Sequence, residues 1–288
     1  MRGDRRAKKL IVTADDFGMS IPVNEGIEAS HRDGILSATS LMTGGEAFAD
    51  AVERAKRLPK LGVGLHIHLV DSRPVLPPEK IPLLVGPDGS FSNNPERFGF
   101  NLFFSSEMRK QAEAEIAAQF ERFAATGLVM DHVNGHHHFH MHPVVTDAIA
   151  KYAPRYGSPP VRFPVEPFGP SWRAGADKPV QRFFNWTFYA ALTRRMRRKI
   201  TAAGLALNDQ VFGVSDTGAM TERRILSYLD HLPDGVTELY AHPAMRKEGQ
   251  PQTYGSAEEY HGLVSPVVRA KVAALGLQPL TFKAAFAA

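Results

Sequence analysis

The sequence contains no cysteine. That excludes a disulfide framework, a thiol nucleophile, a thiolate zinc site and an iron–sulfur cluster. Any metal must therefore be held by nitrogen and oxygen. There is no run of about 18 apolar residues, so no helix is expected to span a membrane. The basic start, MRGDRRAKKL, runs directly into IVTADDFG, a stretch too short and too acidic for the apolar region of a secretion signal. The expected location is cytoplasmic. Internal repeats and low-complexity tracts are also missing, and no linker divides the chain, so residues 1–288 read as one domain.

What is present is an ordinary globular composition, 43% hydrophobic and 22% charged, with a net charge of +4. The charge says little about partners. Short apolar runs alternate with amphipathic stretches. KKLIVTADD (8–16), ILSATSLM (35–42), GVGLHIHLV (62–70), LVMDHVNG (128–135), VRF (161–163), QVFGV (210–214), VTELYAH (236–242) and PLTF (279–282) read as strands. Residues 22–33, 47–58, 108–127, 143–153, 221–231 and 257–275 read as helices. This alternation predicts an α/β fold with a mostly parallel sheet, open or closed. The stretch 71–104 is Pro-rich and irregular, and reads as a long functional loop.

Twelve histidines are present, and six of them (132, 136, 137, 138, 140 and 142) fall within one short segment. In parallel α/β folds chemistry sits at the carboxyl ends of strands. Asp15 and Asp16 end the first strand, His66 and His68 the third. The 132–142 cluster follows the fourth, and His242 ends the strand at 236–241. Four strands thus deliver acids or imidazoles to one edge. Imidazole and carboxylate are the ligands of a divalent ion, and a second carboxylate can take a proton from water. Adjacent strand residues point to opposite faces, so Asp15 and Asp16 can share a site only where the chain turns, as Phe17-Gly18 allows. Each piece has a plainer alternative. Asp15-Asp16 could be a solvated turn or a helix N-cap, His66 a satisfied core histidine, and the cluster a metal-buffering tract. If extended, the cluster would place His136, His138, His140 and His142 on one face. His31, His231 and His261 read as structural or surface residues.

TADDFGMS (13–20), GLHIHL (64–69), DHVNGHHHFHMHP (131–143), VRFP (161–164) and YAHPA (240–244) together resemble the YdjC-like carbohydrate deacetylases. The resemblance implies a distorted (β/α) barrel related to the polysaccharide deacetylases. It implies a metal-dependent hydrolase that removes acetyl from an N-acetylated sugar, with one divalent metal ion per chain, Zn or Mg. By position it implies Asp15 as catalytic base and Asp16, His66 and His136 as metal ligands. His138 and His140 would line the sugar site, and His242 would be the general acid. Arg162, counted with the substrate-binding residues, matches an arginine placed to orient a carboxylate. Asn134-Gly135 replaces the family's Asp-Ser pair, which removes a carboxylate and a hydroxyl beside the metal. Ala244 replaces a family glycine.

Residues 18–52 and 64–85 are most similar to the hopanoid biosynthesis-associated branch of that family. That branch implies an N-acetylglucosaminyl bacteriohopanetetrol substrate. The alternatives are a chitooligosaccharide (diacetylchitobiose-type) deacetylase, another barrel metal hydrolase such as a phosphoesterase or amidohydrolase, and a non-enzymatic metal-binding protein. The segment 178–208 carries seven basic residues, no acid before Asp209, and Phe183, Phe184, Trp186, Phe188 and Tyr189. Phe184, Phe188, Leu192, Met196 and Ile200 recur every four residues as an apolar stripe. Such a helix either packs on a core with a solvated basic face or lies on anionic lipid. The second choice implies peripheral contact with the inner membrane. No nucleic-acid motif accompanies the segment.

Overall fold

β1, Lys9–Phe17, lies inside a six-stranded parallel sheet. The other strands are β2 (Ala38–Leu41), β3 (Gly62–Ile67), β4 (Met130–Gly135), β5 (Gln210–Phe212) and β6 (Val236–Ala241), in the order β4-β3-β2-β1-β6-β5. The computed structural model describes residues 7–175, 177, 179–246 and 254–287, without the side chains of residues 181, 185, 188 and 191. The strands are near-continuous apolar runs because helices cover the outside and side chains fill the inside. Leu10, Val12, Ala14, Leu41, Val63, Leu65 and Val133 all belong to the main core. Each large apolar side chain fully buried there contributes about 1.5–3 kcal/mol.

The sheet curls until its edges meet through residues 160–165, giving the distorted barrel that the family resemblance implied. Val161 bridges Val133 on one side and Leu207 on the other. Val161 N–H donates to Ala206 O (2.8 Å), Arg162 N–H to Val133 O (3.0 Å), and Val211 N–H to Val165 O (3.0 Å). The segment VRF is a bridge rather than the expected strand because prolines 160 and 164 flank it and supply no N–H to a ladder. The Asn208 side chain fills the gap, accepting from Phe163 N–H (2.6 Å) and donating to Phe163 O (3.2 Å).

Three further expectations are corrected. Residues 279–282 form no strand: Pro279 makes one bridge to Leu10, and Thr281 then caps the helix Phe282–Phe286, with Asp131 accepting from the N–H groups of Phe282 and Lys283. A helix start with two carboxylate-bonded N–H groups outcompetes a strand end. The helix expected at 257–275 is two, Ser256–Val264 and Pro266–Ala274, broken where Pro266 disfavours helical geometry at Ser265. The stretch 71–104 is irregular only in its first part and ends in the helix Pro95–Phe104, capped by Asn94. Buried Glu115 holds the irregular part by accepting from Val75 and Leu76 N–H (2.8 and 2.9 Å).

The turn after β6 is pressed onto the helix Ile21–Asp33. A Cβ on Gly26 would sit 2.8 Å from Ala244 Cα, and Met245 N–H donates to Pro22 O (3.0 Å). Gly26 therefore sets how closely the His242 turn approaches the end of β1. Among the described residues, no helix is long and apolar enough to cross a membrane.

Candidate active site

The β1–β2 register shifts between Ala14 and Phe17, and Asp16 has φ +68°. This left-handed residue breaks strict strand alternation, so both carboxylates reach one mouth. The turn expected at Phe17-Gly18 thus begins one residue earlier, at Asp16. A non-glycine residue in this region costs energy and persists only where its surroundings hold it.

Asp16 Oδ1 lies 3.0 Å from His136 Nδ1 and 3.3 Å from His66 Nε2. The ligand atoms of these three residues all fall within 4.8 Å of one another. Asp16 Oδ1 is buried and makes no hydrogen bond of good geometry among the described residues. A buried carboxylate oxygen that two imidazoles approach without bonding suits a cation between them. The donor set, two nitrogens and one oxygen, matches a borderline divalent ion with a position left open for water or substrate. Asp71, His136 and His137 form a second such group. There Asp71 is exposed and its Oδ2 already pairs with His137 Nε2 (2.9 Å), so the first group is the stronger candidate.

The ligand His66 is oriented from behind. Its Nδ1 lies 2.6 Å from Asn134 Oδ1, which can only accept, and 3.1 Å from Ser40 Oγ. The proton is therefore on Nδ1, and the Nε2 lone pair faces Asp16 and the site.

Asp15 is held on three sides. Arg162 grips it with Nη1 to Oδ2 (2.6 Å) and Nη2 to Oδ1 (2.8 Å). Ser40 Oγ–H and Asn134 Nδ2–H donate to Oδ1 (2.8 and 3.2 Å). Oδ2 thus keeps more free lone-pair capacity than Oδ1. Burial alone would raise the Asp15 pKa, but the Arg162 guanidinium, with His66 beside it, holds it far below the usual carboxylate range. Arg162 is itself fully buried between two carboxylates. Its Nε and Nη2 donate to Glu238 (3.0 and 2.6 Å), and its guanidinium lies over the Tyr240 ring at 4.8 Å. The expectation that Arg162 orients a carboxylate describes this contact. Its place among the substrate-binding residues does not follow, because no atom of it lines the cavity.

The His-rich segment is not extended. Residues His136–Met141 form tight helical turns in which His137 and His138 have φ of +48° and +57°. The expected common face is therefore split. His136 and His138 line a cavity of about 170 Å³ together with Asp15, His66 and His242. His142 turns outward and caps the helix Pro143–Tyr152. His140 is fully buried, absent from the cavity wall, and stands behind His138 with ring centroids 5.7 Å apart. Its expected sugar-lining role is corrected on that ground. Burial, then neighbouring positive groups, keeps His140 neutral, and its pKa lies well below the ordinary histidine value. His138 is likewise pushed down to about 3 by burial and Arg162, and its Nε2 lies 3.1 Å from Tyr240 Oη.

His242 reaches the same cavity. Its backbone N–H donates to Glu259, while its ring Nδ1 has no partner among the described residues; the ring centroid lies 4.9 Å from that of Tyr254 and 5.4 Å from that of Tyr240. Burial lowers its pKa, with Asp16 and Asp15 opposing. Glu259 is pushed up to about 7 by burial, although backbone N–H groups, those of His242 and Met220 among them, donate to it.

Sequence reasoning missed His137, Tyr189, Thr217, Tyr240 and Tyr254 as cavity lining, and Glu238 as the partner of Arg162. His137 carried a signal in its place in the cluster, and Tyr240 in its place beside His242 in YAHPA.

Comparison with known proteins gives a consistent picture. The family model described as YdjC-like protein matches residues 9–274. A "Carbohydrate deacetylase" of Geobacillus stearothermophilus is 31% identical over 278 residues, covering 95% of this chain and 96% of that protein. One of Brevibacillus brevis is 40% identical over 156 residues, covering 54% of this chain and 59% of that protein. Among solved structures, a putative cellobiose-phosphate cleavage protein from Enterococcus faecalis V583 has the same fold, with a TM-score of 0.75 at 24% identity, covering 96% of this chain and 98% of its own.

Proposed function

The chain belongs to the YdjC-like family, and from that premise and its site we propose that it is a metal-dependent hydrolase that removes the N-acetyl group from an N-acetylglucosamine-type sugar. The observation that carries this reading is a cavity lined by Asp15, His66 and His136, with Asp16 placed against those two histidines. Relatives named as carbohydrate deacetylases support it.

A divalent ion held by Asp16, His66 and His136 would supply polarisation of the amide carbonyl and acidification of the attacking water. Zinc suits the two imidazoles better than magnesium, which prefers oxygen ligands. Asp15 receives the proton of that water, through Oδ2, its less occupied oxygen. Arg162 keeps Asp15 ionised and aimed. His242, lining the same cavity, delivers a proton to the leaving amine. His138, neutral and fixed against Tyr240, offers a hydrogen bond to the sugar.

The acceptor we propose is N-acetylglucosaminyl bacteriohopanetetrol, with diacetylchitobiose as the alternative. An enzyme with a glycolipid substrate works at the membrane, in peripheral contact with anionic lipid on the cytoplasmic side. Incubation with each acetylated sugar, following released acetate by mass spectrometry, tests the proposal. Acetate release from neither would overturn it, and release of phosphate from a generic phosphate ester instead would favour the phosphoesterase alternative.

A further inference from the structure

The helix Pro95–Phe104 faces two ways. Phe98 and Leu102, one turn apart, are buried in the core. Phe100, Phe103 and Phe104 point outward and are 66%, 51% and 65% exposed. They pack on one another, with ring centroids 4.7 Å apart for Phe100–Phe104 and 5.1 Å for Phe103–Phe104. Three adjacent phenylalanines left in water have no structural reason to be there. Contiguous apolar surface of this kind marks a contact site.

Phe103 and Phe104 line a groove of about 940 Å³, and Phe100 packs on Phe104 beside it. Arg109, Lys110, Lys151, Arg195 and Lys199 line it, against only Glu113 and Asp147. The groove therefore carries a clear excess of positive charge, and both its acids are already paired with its own cations. Arg195 and Lys199 come from the helix Pro179–Ala202. Three turns earlier, on the same side as Arg195 by helical spacing, that helix exposes Phe184 (65%).

This revises the sequence reading of that helix. Of its apolar stripe, Met196 and Ile200 are buried and Leu192 is half-buried, so the C-terminal half packs on the core. The Phe188 side chain and Lys178 lie outside the described residues. The exposed apolar end and the basic flank remain. The surface also adjoins the catalytic cavity. The strap His136–Met141 runs from the cavity wall to His142, whose ring meets Phe103 at 6.3 Å.

We propose that Phe100, Phe103 and Phe104, with the basic groove behind them and Phe184 alongside, form a docking face for an anionic phospholipid bilayer. The rings enter the headgroup–acyl boundary, while the cations meet the phosphate surface. A protein partner would need its own complementary acidic, aromatic-receiving face. A bilayer offers both properties at once and needs no shape match. The purpose of the face rests on the glycolipid reading given above, but its existence does not.

Flotation of the full-length protein with phosphatidylcholine vesicles, with and without about 30% phosphatidylglycerol, tests the proposal. Binding is expected only to the anionic vesicles, and to weaken as salt screens the charges. The triple variant Phe100→Ser/Phe103→Ser/Phe104→Ser is expected to bind about tenfold less or weaker. Arg109→Glu, at an exposed cation away from the catalytic cavity, is expected to weaken binding in the same direction. Both variants should deacetylate soluble diacetylchitobiose as the parent does, which also shows that they fold. No binding at low salt, or unchanged binding by the triple variant, overturns the proposal. So does a vesicle-independent dimer that the triple variant dissolves, because the face would then be a protein interface. A protein that floats with vesicles but deacetylates no sugar leaves the docking face standing and refutes the functional reading instead.

Discussion

Asn134 Oδ1 accepts a hydrogen bond from Nδ1 of His66 at 2.6 Å, joining a residue of β4 to a metal-ligand candidate on β3. The same amide donates to Asp15 Oδ1 at 3.2 Å. One neutral side chain therefore sets the tautomer of a ligand and braces the base. An aspartate there, as in the family's Asp-Ser pair, would place a second carboxylate against Asp15.

Asn134→Leu keeps the volume but removes both contacts. The expected result is metal binding weakened about 10–100-fold, the usual effect of losing a ligand's supporting partner. Competition with a chelator measures it. Unchanged affinity would mean that His66 is not a ligand or is held by Ser40 alone.

Asp16→Ala and His136→Ala should lose bound metal, whereas Asp15→Asn should keep it and lose about 10²–10⁴ in turnover. Elemental analysis and acetate release together separate the two classes. Full activity of Asp15→Asn would remove Asp15 from the role of base.

His140→Leu should leave acetate release close to that of the parent and raise stability by about 1–2 kcal/mol. It replaces two buried ring nitrogens that lack partners among the described residues with apolar volume. Urea denaturation gives the stability change. A large loss of activity in a well-folded variant would restore His140 to the sugar site.

Glu259 supplies a pH dependence with a definite sign. Its folded pKa is about 7, against an ordinary value of 4.5. Between these values the folded chain holds a proton that the unfolded chain has released, so this group's contribution falls as pH rises, by about 1.4 kcal/mol per unit, and levels off above 7. Melting temperatures of the parent and Glu259→Gln between pH 5 and 8 test it. The difference between the two proteins should change through that window, and a constant difference would contradict the shift.

Much of the site was legible because strand ends are legible. Asp15, Asp16, His66, His136 and His242 each end or follow a buried apolar run, and the parallel fold carries all such ends to one rim. The second half of the Asp15 story was not. Glu238 sits 76 residues from Arg162, in the middle of a strand whose pattern gives no hint of a buried acid. The tyrosines of the cavity wall look like core aromatics in sequence, since only the neighbours of their hydroxyl groups distinguish them. Phe100, Phe103 and Phe104 lay in a stretch read as loop, where nothing local says which side chains face water.

By itself the sequence determined the donor chemistry, nitrogen and oxygen without sulfur, and the edge at which it collects. Composition and the period of apolar runs are local properties, and they suffice for that. Tertiary structure alone decided which donors meet. The left-handed backbone at Asp16 turns two adjacent carboxylates into one mouth. Two more left-handed residues at 137 and 138 send His138 into the cavity and His140 behind it. Arg162, 147 residues from Asp15, makes a buried aspartate remain a charge. Each outcome depends on contacts between distant segments, whose energies outweigh the local preferences that a sequence displays.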